Sequence, residues 1–489
     1  MKSFRVRVLA GVLVLFAAAL APTVASATTG TLMVTTNTTL AEDHHGNVVI
    51  AADNVTLNCA GHTVTGSGES AGVLLDTRTA VTVKNCRATG FVNGFVVVNS
   101  SGNQLLKNQA VNNAQAGFLV DNSTGVTLQG NNAGSDERGF VVRASSGSHL
   151  SGNTASNNTL EGFSAIMAPS NAYDRNASVG NGSAGFVFDS DSPGNTIYGN
   201  GPHNNQGDGF DIDAASDLTA NVAAENAGSG IVLDGASNSS LASNYAVENE
   251  TVGIRITNGS KGNQINASIS TQNLVGIAIE NGSDSNVLQG NRANYNTTDG
   301  YQITHSQSNS LVENSAYGDG GSGFAIRTNS SANVLQRNDT EADGEGFTIT
   351  DSSNNNVLDR NQAIKTGLAF SIEESSANAL MDNIAKQNGQ PGSIGGFLLR
   401  AASGNTLTRN VSNQNSDYGF ALWQGSSANT LDNNKATTNR VGFDVQVGAT
   451  GNALTHNAAH LNTDWDAEDL NGPGLNIWLN NDFGKTTGL

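Results

Sequence analysis

Positive charge, cysteine and long apolar runs are all scarce in this chain, and a helical period is missing. Lysine and arginine number 23 against 42 aspartates and glutamates, a formal charge of −19, so the surface repels nucleic acid and anionic membrane at long range. The one apolar stretch, Val8 to Ala21, is shorter than the ~20 residues a spanning helix needs. No segment keeps a 3.6-residue period for three turns, which excludes an architecture of amphipathic helices. No Gly-x-Ser-x-Gly elbow with partners is present. The Gly484-Lys485-Thr486-Thr487 tail is not a phosphate loop, because Leu479 stands where the first glycine is required. Few prolines and an abundance of Gly, Asn, Ser and Thr suggest disorder on composition alone, a reading that regularly spaced apolar residues overrule.

The first residues place Lys2, Arg5 and Arg7 before the apolar stretch and Ala25-Ser26-Ala27 after it, the pattern of a cleaved secretory leader over 1–27. No cysteine follows the stretch to take a lipid, so the mature chain is expected to leave the membrane. Losing three of the 23 basic residues leaves 20 against 42 acids, a formal charge of −22. The expected address is extracellular or periplasmic. Cys59 in VTLNC and Cys86 in VTVKNC lie about one repeat apart. In an exported protein they are either a disulfide or a pair of buried thiols.

What the chain has in quantity is a repeat of ~23 residues. Its mark is a glycine before a large apolar residue, as in Gly94-Phe95, Gly117-Phe118, Gly139-Phe140, Gly276-Ile277 and Gly442-Phe443, with Ala369-Phe370 as the one alanine. An apolar residue follows two positions later each time (Val97, Val120, Val142, Ile279, Val445), and alternation of period two is a strand with one face buried. A second short apolar strand precedes a recurring asparagine (Asn108, Asn131, Asn153, Asn457), and five residues on stands another Asn or Asp (Asn113, Asp136, Asn158). These read as two ladders of stacked amides at tight corners, the asparagines taking the left-handed backbone there.

Fixed-period self-similarity means a solenoid. The reading is a single all-β domain of about 17 coils, two or three short strands each, paired in parallel. Residues 28–53 are expected to cap the start, 54–464 to form the coils, and 465–489, with Trp465 and Trp478, to cap the end.

The segments NVTLNCAGHTVTG and VTVKNCRATGFVNGF and the N-x-A-x-x-N-x-x-x-GF units resemble secreted right-handed parallel β-helix proteins, the pectate-lyase-like group that also contains polygalacturonases, uronate epimerases and the copper-accessory protein NosD. The resemblance covers nearly all of the mature chain. It implies a right-handed parallel β-helix and, from its members, three functions. The first is a non-catalytic monomer that binds carbohydrate or another extended extracellular polymer, for which Trp423 and Arg400, near Tyr418 and Gln446, offer a sugar-stacking surface. The second is an enzyme, a polysaccharide lyase or a glycoside hydrolase. Asp189, Asp213 and Asp234 recur four residues after the glycine in consecutive coils; by analogy with the lyases they would hold Ca²⁺, with Arg255 as base or clamp. Asp211, in GDGFDID, is the catalytic candidate of the hydrolase version. A solvated acidic stripe on an acidic protein explains the same aspartates. The third is copper handling by His44, His45 and His62 near the N-terminus.

Overall fold

The computed structural model describes residues 23–25, 29–390 and 393–489, with backbone alone for Thr23–Ala25. The leader read over 1–27 otherwise lies outside the described residues, as do residues 391 and 392. The described chain is a parallel solenoid of about 19 turns with three sheets and no helix. Each regular coil supplies three strands where two or three were expected, for example Thr127–Gln129, Asn132–Gly134 and Arg138–Arg143. The first joins a sheet whose inward residue is mostly leucine, the second one of inward alanines, the third the glycine-bearing strands. We call these the leucine, alanine and glycine sheets.

Register follows the repeat. Phe95 pairs with Phe118 and Phe118 with Phe140; Leu105 pairs with Leu128, and Ala110 with Ala133. The turn count exceeds 17 because residues outside the regular repeat also stack. Leu32–Val34 pairs with Val48–Ile50, which pairs with the next coil, and Trp465–Asp469 pairs with Thr486–Thr487. Trp478 and Phe483 meet edge-on and, half-buried, pack against the core. Cys59 and Cys86, one coil apart and buried, are joined as a disulfide.

The core is a set of one-residue columns. Phe95, Phe118, Phe140 and Phe163 stack with ring centroids 4.8 Å apart and planes within 5–7°. Each buried ring contributes roughly 1.5–3 kcal/mol by leaving water. Size selection across the core is strict: large rings on the glycine sheet face alanines on the alanine sheet. The glycines are required by close approach. A Cβ on Gly276 would lie 2.3 Å from the carbonyl oxygen of Gly300 and 2.8 Å from Ala293 Cβ.

The asparagine ladders differ from expectation in two ways. There are three, since Asn263, Asn286, Asn309 and Asn333 form another before the leucine sheet. Furthermore, the left-handed residue is the one preceding the ladder asparagine: Lys107, Ser135, Asn157 and Arg175 have φ of 56°, 56°, 52° and 51°. The ladder side chain itself turns inward. Asn108 donates its backbone N–H and its Nδ2 to Asn131 Oδ1 at 2.8 and 3.1 Å, and Nδ2 also reaches Val83 O at 2.9 Å. Burying a corner requires pairing its backbone polar groups, and one amide per corner per coil does so while leaving the left-handed position open to any exposed residue.

Candidate functional site

Outward side chains of the glycine sheet fall into three columns: the residue before the glycine, the second after it and the fourth after it. The middle column is mostly small or apolar, as in Ala278, Ala325, Thr348, Ser371 and Ala421. It makes a shallow lane between two more polar columns. Two carboxyl clusters interrupt it.

The first centres on Asp211. Register places Asp211 beside Val187 and Val232, with Arg255 one coil past Val232. Burial, then Asp213, Asp208 and Asp234, pushes the Asp211 carboxyl up to about 7. Burial, then Asp234 and Asp189, pushes Asp213 up to about 6. Burial also raises Asp208, partly offset by the Ser229 N–H and by Arg255. These are therefore not fully solvated acids: burial, and then the like charges packed beside them, raises the proton affinity of all three. The three aspartates expected to hold Ca²⁺ follow one column, and two of them bond to neighbouring protein groups. Asp189 accepts from Met167 N at 3.1 Å and Ser192 Oγ at 2.5 Å, and Asp234 from Asn258 Nδ2 at 2.6 Å. Among the described residues no three His, Cys, Asp or Glu side chains gather as a metal site. Arg255 turns to Glu280 of the following coil, Nε to Oε1 2.5 Å. That ion pair is a charge-assisted bond between neighbouring coils, and it holds the guanidinium toward Glu280.

The second cluster lies ten strand spacings along, ~48 Å, on Gly395–Arg400, Tyr418–Trp423, Val441–Val445 and Trp465–Asp469. Asp444 is fully buried there. Trp423 Nε1 donates to its Oδ2 at 2.7 Å, and Gln446 Nε2 reaches its two oxygens at 2.8 and 3.0 Å. Glu468 stands beside it in register. Burial is the larger cause, and the Glu468 carboxylate a further one, that brings Asp444 up to about 7 against the pull of Trp423 and Gln446. Tyr418 meets Trp423 edge-on, centroids 5.6 Å apart, and Arg440 lies 4.8 Å over the Tyr418 ring while bonding Asp464 at 2.9 Å. Arg400, one coil before Trp423, binds Glu373, Nε to Oε2 2.9 Å. The structure thus brings Trp423, Tyr418 and Gln446 together and leaves Arg400 engaged at the edge.

Asp444 and Glu468 escaped the sequence reading, which sought acids four residues after the glycine. The signal was present one column over, two residues nearer the glycine, where only Asp211, Asp444 and Glu468 are acidic. Asp299 is a further surprise, clasped by both Arg327 nitrogens at 2.6 and 3.0 Å. The N-terminal histidines do not converge. His44 is buried with Nε2 2.9 Å from Gly30 O, His45 is exposed, and His62 pairs with Asp43 at 3.4 Å.

A family model described as "Right handed beta helix region" matches residues 218–363, 317–436 and 344–482, together more than half of the sequence. The chain belongs to that right-handed β-helix family. A second model, "Periplasmic copper-binding protein (NosD)", matches residues 26–208, so the N-terminal part is similar to that group. No curated protein matches the chain. Among solved structures it is similar to the A-module of the Azotobacter vinelandii mannuronan C-5 epimerase AlgE6, at 14% identity over 76% of this chain and 91% of that one, TM-score 0.31. A double mutant of the periplasmic alginate epimerase AlgG shares 15% identity over 68% and 76%, TM-score 0.28. Tailspike protein 3 of bacteriophage CBA120 shares 14% over 71% and 56%, TM-score 0.36.

Proposed function

We propose that this is an exported, monomeric β-helix protein that binds an extended polysaccharide along its glycine sheet, with Trp423 as the anchoring contact. The observation carrying this reading is the Trp423–Asp444–Gln446 cluster beside Tyr418. An indole whose N–H is fixed by a buried acid is a preorganised platform for a sugar ring, and the lane of small residues leading away from it leaves room for a chain of rings. The leader pattern supports export, and the NosD match over 26–208 supports a periplasmic address. The test is affinity electrophoresis against a panel of neutral and acidic glycans. Trp423→Ala is expected to weaken binding about tenfold or more, the effect of a central aromatic contact. Equal retardation of variant and parent on every glycan retained would refute the reading.

Cleavage is a second reading, favoured by one observation: Asp211 and Asp213 titrate near neutrality in the same small cluster. A lyase gives products with an unsaturated uronate chromophore and a hydrolase gives reducing ends without it. Either activity is expected to vanish in Asp211→Asn.

A further inference from the structure

The leucine sheet carries a groove of about 680 Å³ on a different face of the rod, lined among others by Lys107, Gln129, His149, Ser151, Asp174 and Arg175. Its origin is legible in one corner column. Lys107, Gly130, Gly152 and Arg175 precede successive ladder asparagines, all with left-handed φ of 51–65°. Two glycines between two long cations leave a gap three strand spacings wide, ~14 Å, with nothing within 4 Å of where a Gly152 Cβ would stand. Glycine is not needed for the backbone there, since Lys107 and Arg175 adopt the same conformation with side chains. The gap is therefore a property of the surface, not of the fold.

Its charge runs against the rest of the molecule. In the segments 82–89, 104–111, 127–134, 149–156 and 172–179, which form the leucine and alanine strands and the corner between them over five coils, stand Lys84, Arg87, Lys107 and Arg175 against the single acid Asp174. Lys84, Arg87 and Lys107 have no ion-pair partner among the described residues. Unpaired cations gathered on one patch of a chain with nearly twice as many acids as bases focus anions there. Arg175 Nη1 donates to Asp174 Oδ2 at 3.2 Å, while Asp174 Oδ1 is buried without a donor. Beyond it, the exposed ring of Tyr198 holds the Arg175 guanidinium 5.4 Å from its centroid.

We infer that this groove binds an acidic oligosaccharide of about three sugars, its carboxylates or sulfates on Lys107 and Arg175 and its hydroxyls on Gln129, His149, Ser151 and Asp174. The polar floor supplies the hydrogen bonds that sugar hydroxyls need, and a volume within the usual range of ligand pockets, roughly 300–1,000 Å³, suits a short ligand. Long polyanions such as nucleic acid are disfavoured, because Asp217 follows on the same face two coils after Asp174.

The test is calorimetric titration, at low ionic strength, with a galacturonate trimer, a sulfated galactose trimer, a neutral galactose trimer, inorganic sulfate and a short oligonucleotide. At least one acidic trimer is expected to bind and the neutral trimer not. Gly152→Gln, which fills the gap, and Arg175→Gln, which removes one exposed cation, are each expected to weaken binding about tenfold or more, the worth of a charge-assisted hydrogen bond; a single cooperative melt and a parent-like β spectrum confirm the fold, Gly152→Gln melting slightly lower for its side chain at a φ of 60°. Trp423→Ala leaves this binding intact, which separates it from the glycine-sheet reading. Binding of neither acidic trimer, undiminished binding in both groove variants, or tighter binding of sulfate or oligonucleotide than of either trimer overturns the inference.

Discussion

The indole Nε1 of Trp423 donates to Oδ2 of Asp444, 2.7 Å away on the next coil. The two residues stand in different columns of the sheet, so the contact runs diagonally across it. Its acceptor is fully buried, beside the Glu468 carboxylate, and comes up to about 7. Deprotonation of Asp444 near neutrality therefore places a negative charge against the indole N–H. Tryptophan fluorescence is expected to titrate with a midpoint near 7, and the transition to disappear in Asp444→Asn and in Trp423→Phe. A titration that persists in Trp423→Phe would assign it to Trp465 or Trp478 instead.

Stability should fall as pH rises. In the ladder corner before the glycine sheet, burial pushes Asp136 and Asp343 up to about 6 and Asp319 up to about 8, while an unfolded aspartate ionises near 3.9. Between roughly pH 4 and pH 8 the folded state thus holds protons that the unfolded chain has released, and their stabilisation is lost as pH climbs through the folded values. The melting temperature is expected to be higher at pH 5 than at pH 8. A flat profile would contradict the assignment.

Asp319→Asn is expected to stabilise at pH 8 and to change little at pH 5. Asp319 Oδ1 already accepts from Asn296 N and Nδ2 at 2.7 and 2.9 Å, but Oδ2 is buried without a partner. An amide there would donate to Asp343 Oδ1, which accepts Asp319 N at 2.7 Å. The gain is about 1 kcal/mol, one hydrogen bond made and no charge buried. Urea melts at the two pH values measure it.

Gly276→Ala is expected to destabilise by roughly 1–3 kcal/mol, the usual range for overpacking. Its Cβ would meet the Gly300 carbonyl at 2.3 Å, and backbone cannot yield as a flexible side chain does. Gly201→Ala, whose Cβ would come no nearer than 4.0 Å to any neighbour, the Val222 carbonyl oxygen, and whose φ is not left-handed, is the control, expected to melt close to the parent.

Much of the fold was legible because a solenoid repeats one decision. The glycine-aromatic pairs identified the close-packed strand, and the Asn108 and Asn113 columns identified two corners. The third ladder was missed because serines, as at Ser148, Ser216 and Ser239, take the place of asparagine in several coils. The backbone assignment also slipped by one residue: Asn108 lies inside the core and Lys107 carries the left-handed turn.

Removing the Cys59–Cys86 disulfide as a double serine variant is expected to cost about 2–4 kcal/mol, felt first in the N-terminal coils because each coil contacts only its neighbours. Hydrogen exchange on residues 48–98 against 370–445 measures this. Equal loss of protection at both ends would show the rod to be a single cooperative unit.

Sequence alone determined which residues point inward, how successive coils align and that the molecule is a rod, since an apolar period of two inside a ~23-residue repeat admits one continuous core and little else. Only the tertiary structure decided which outward residues meet. Arg255 and Asp211 differ by two coils in one column, yet Arg255 chose Glu280. Trp423 and Asp444 belong to different columns, yet they bond. Long side chains reach diagonally across a sheet, and the depth at which a carboxyl is buried sets its proton affinity. Neither reach nor depth is written in a period.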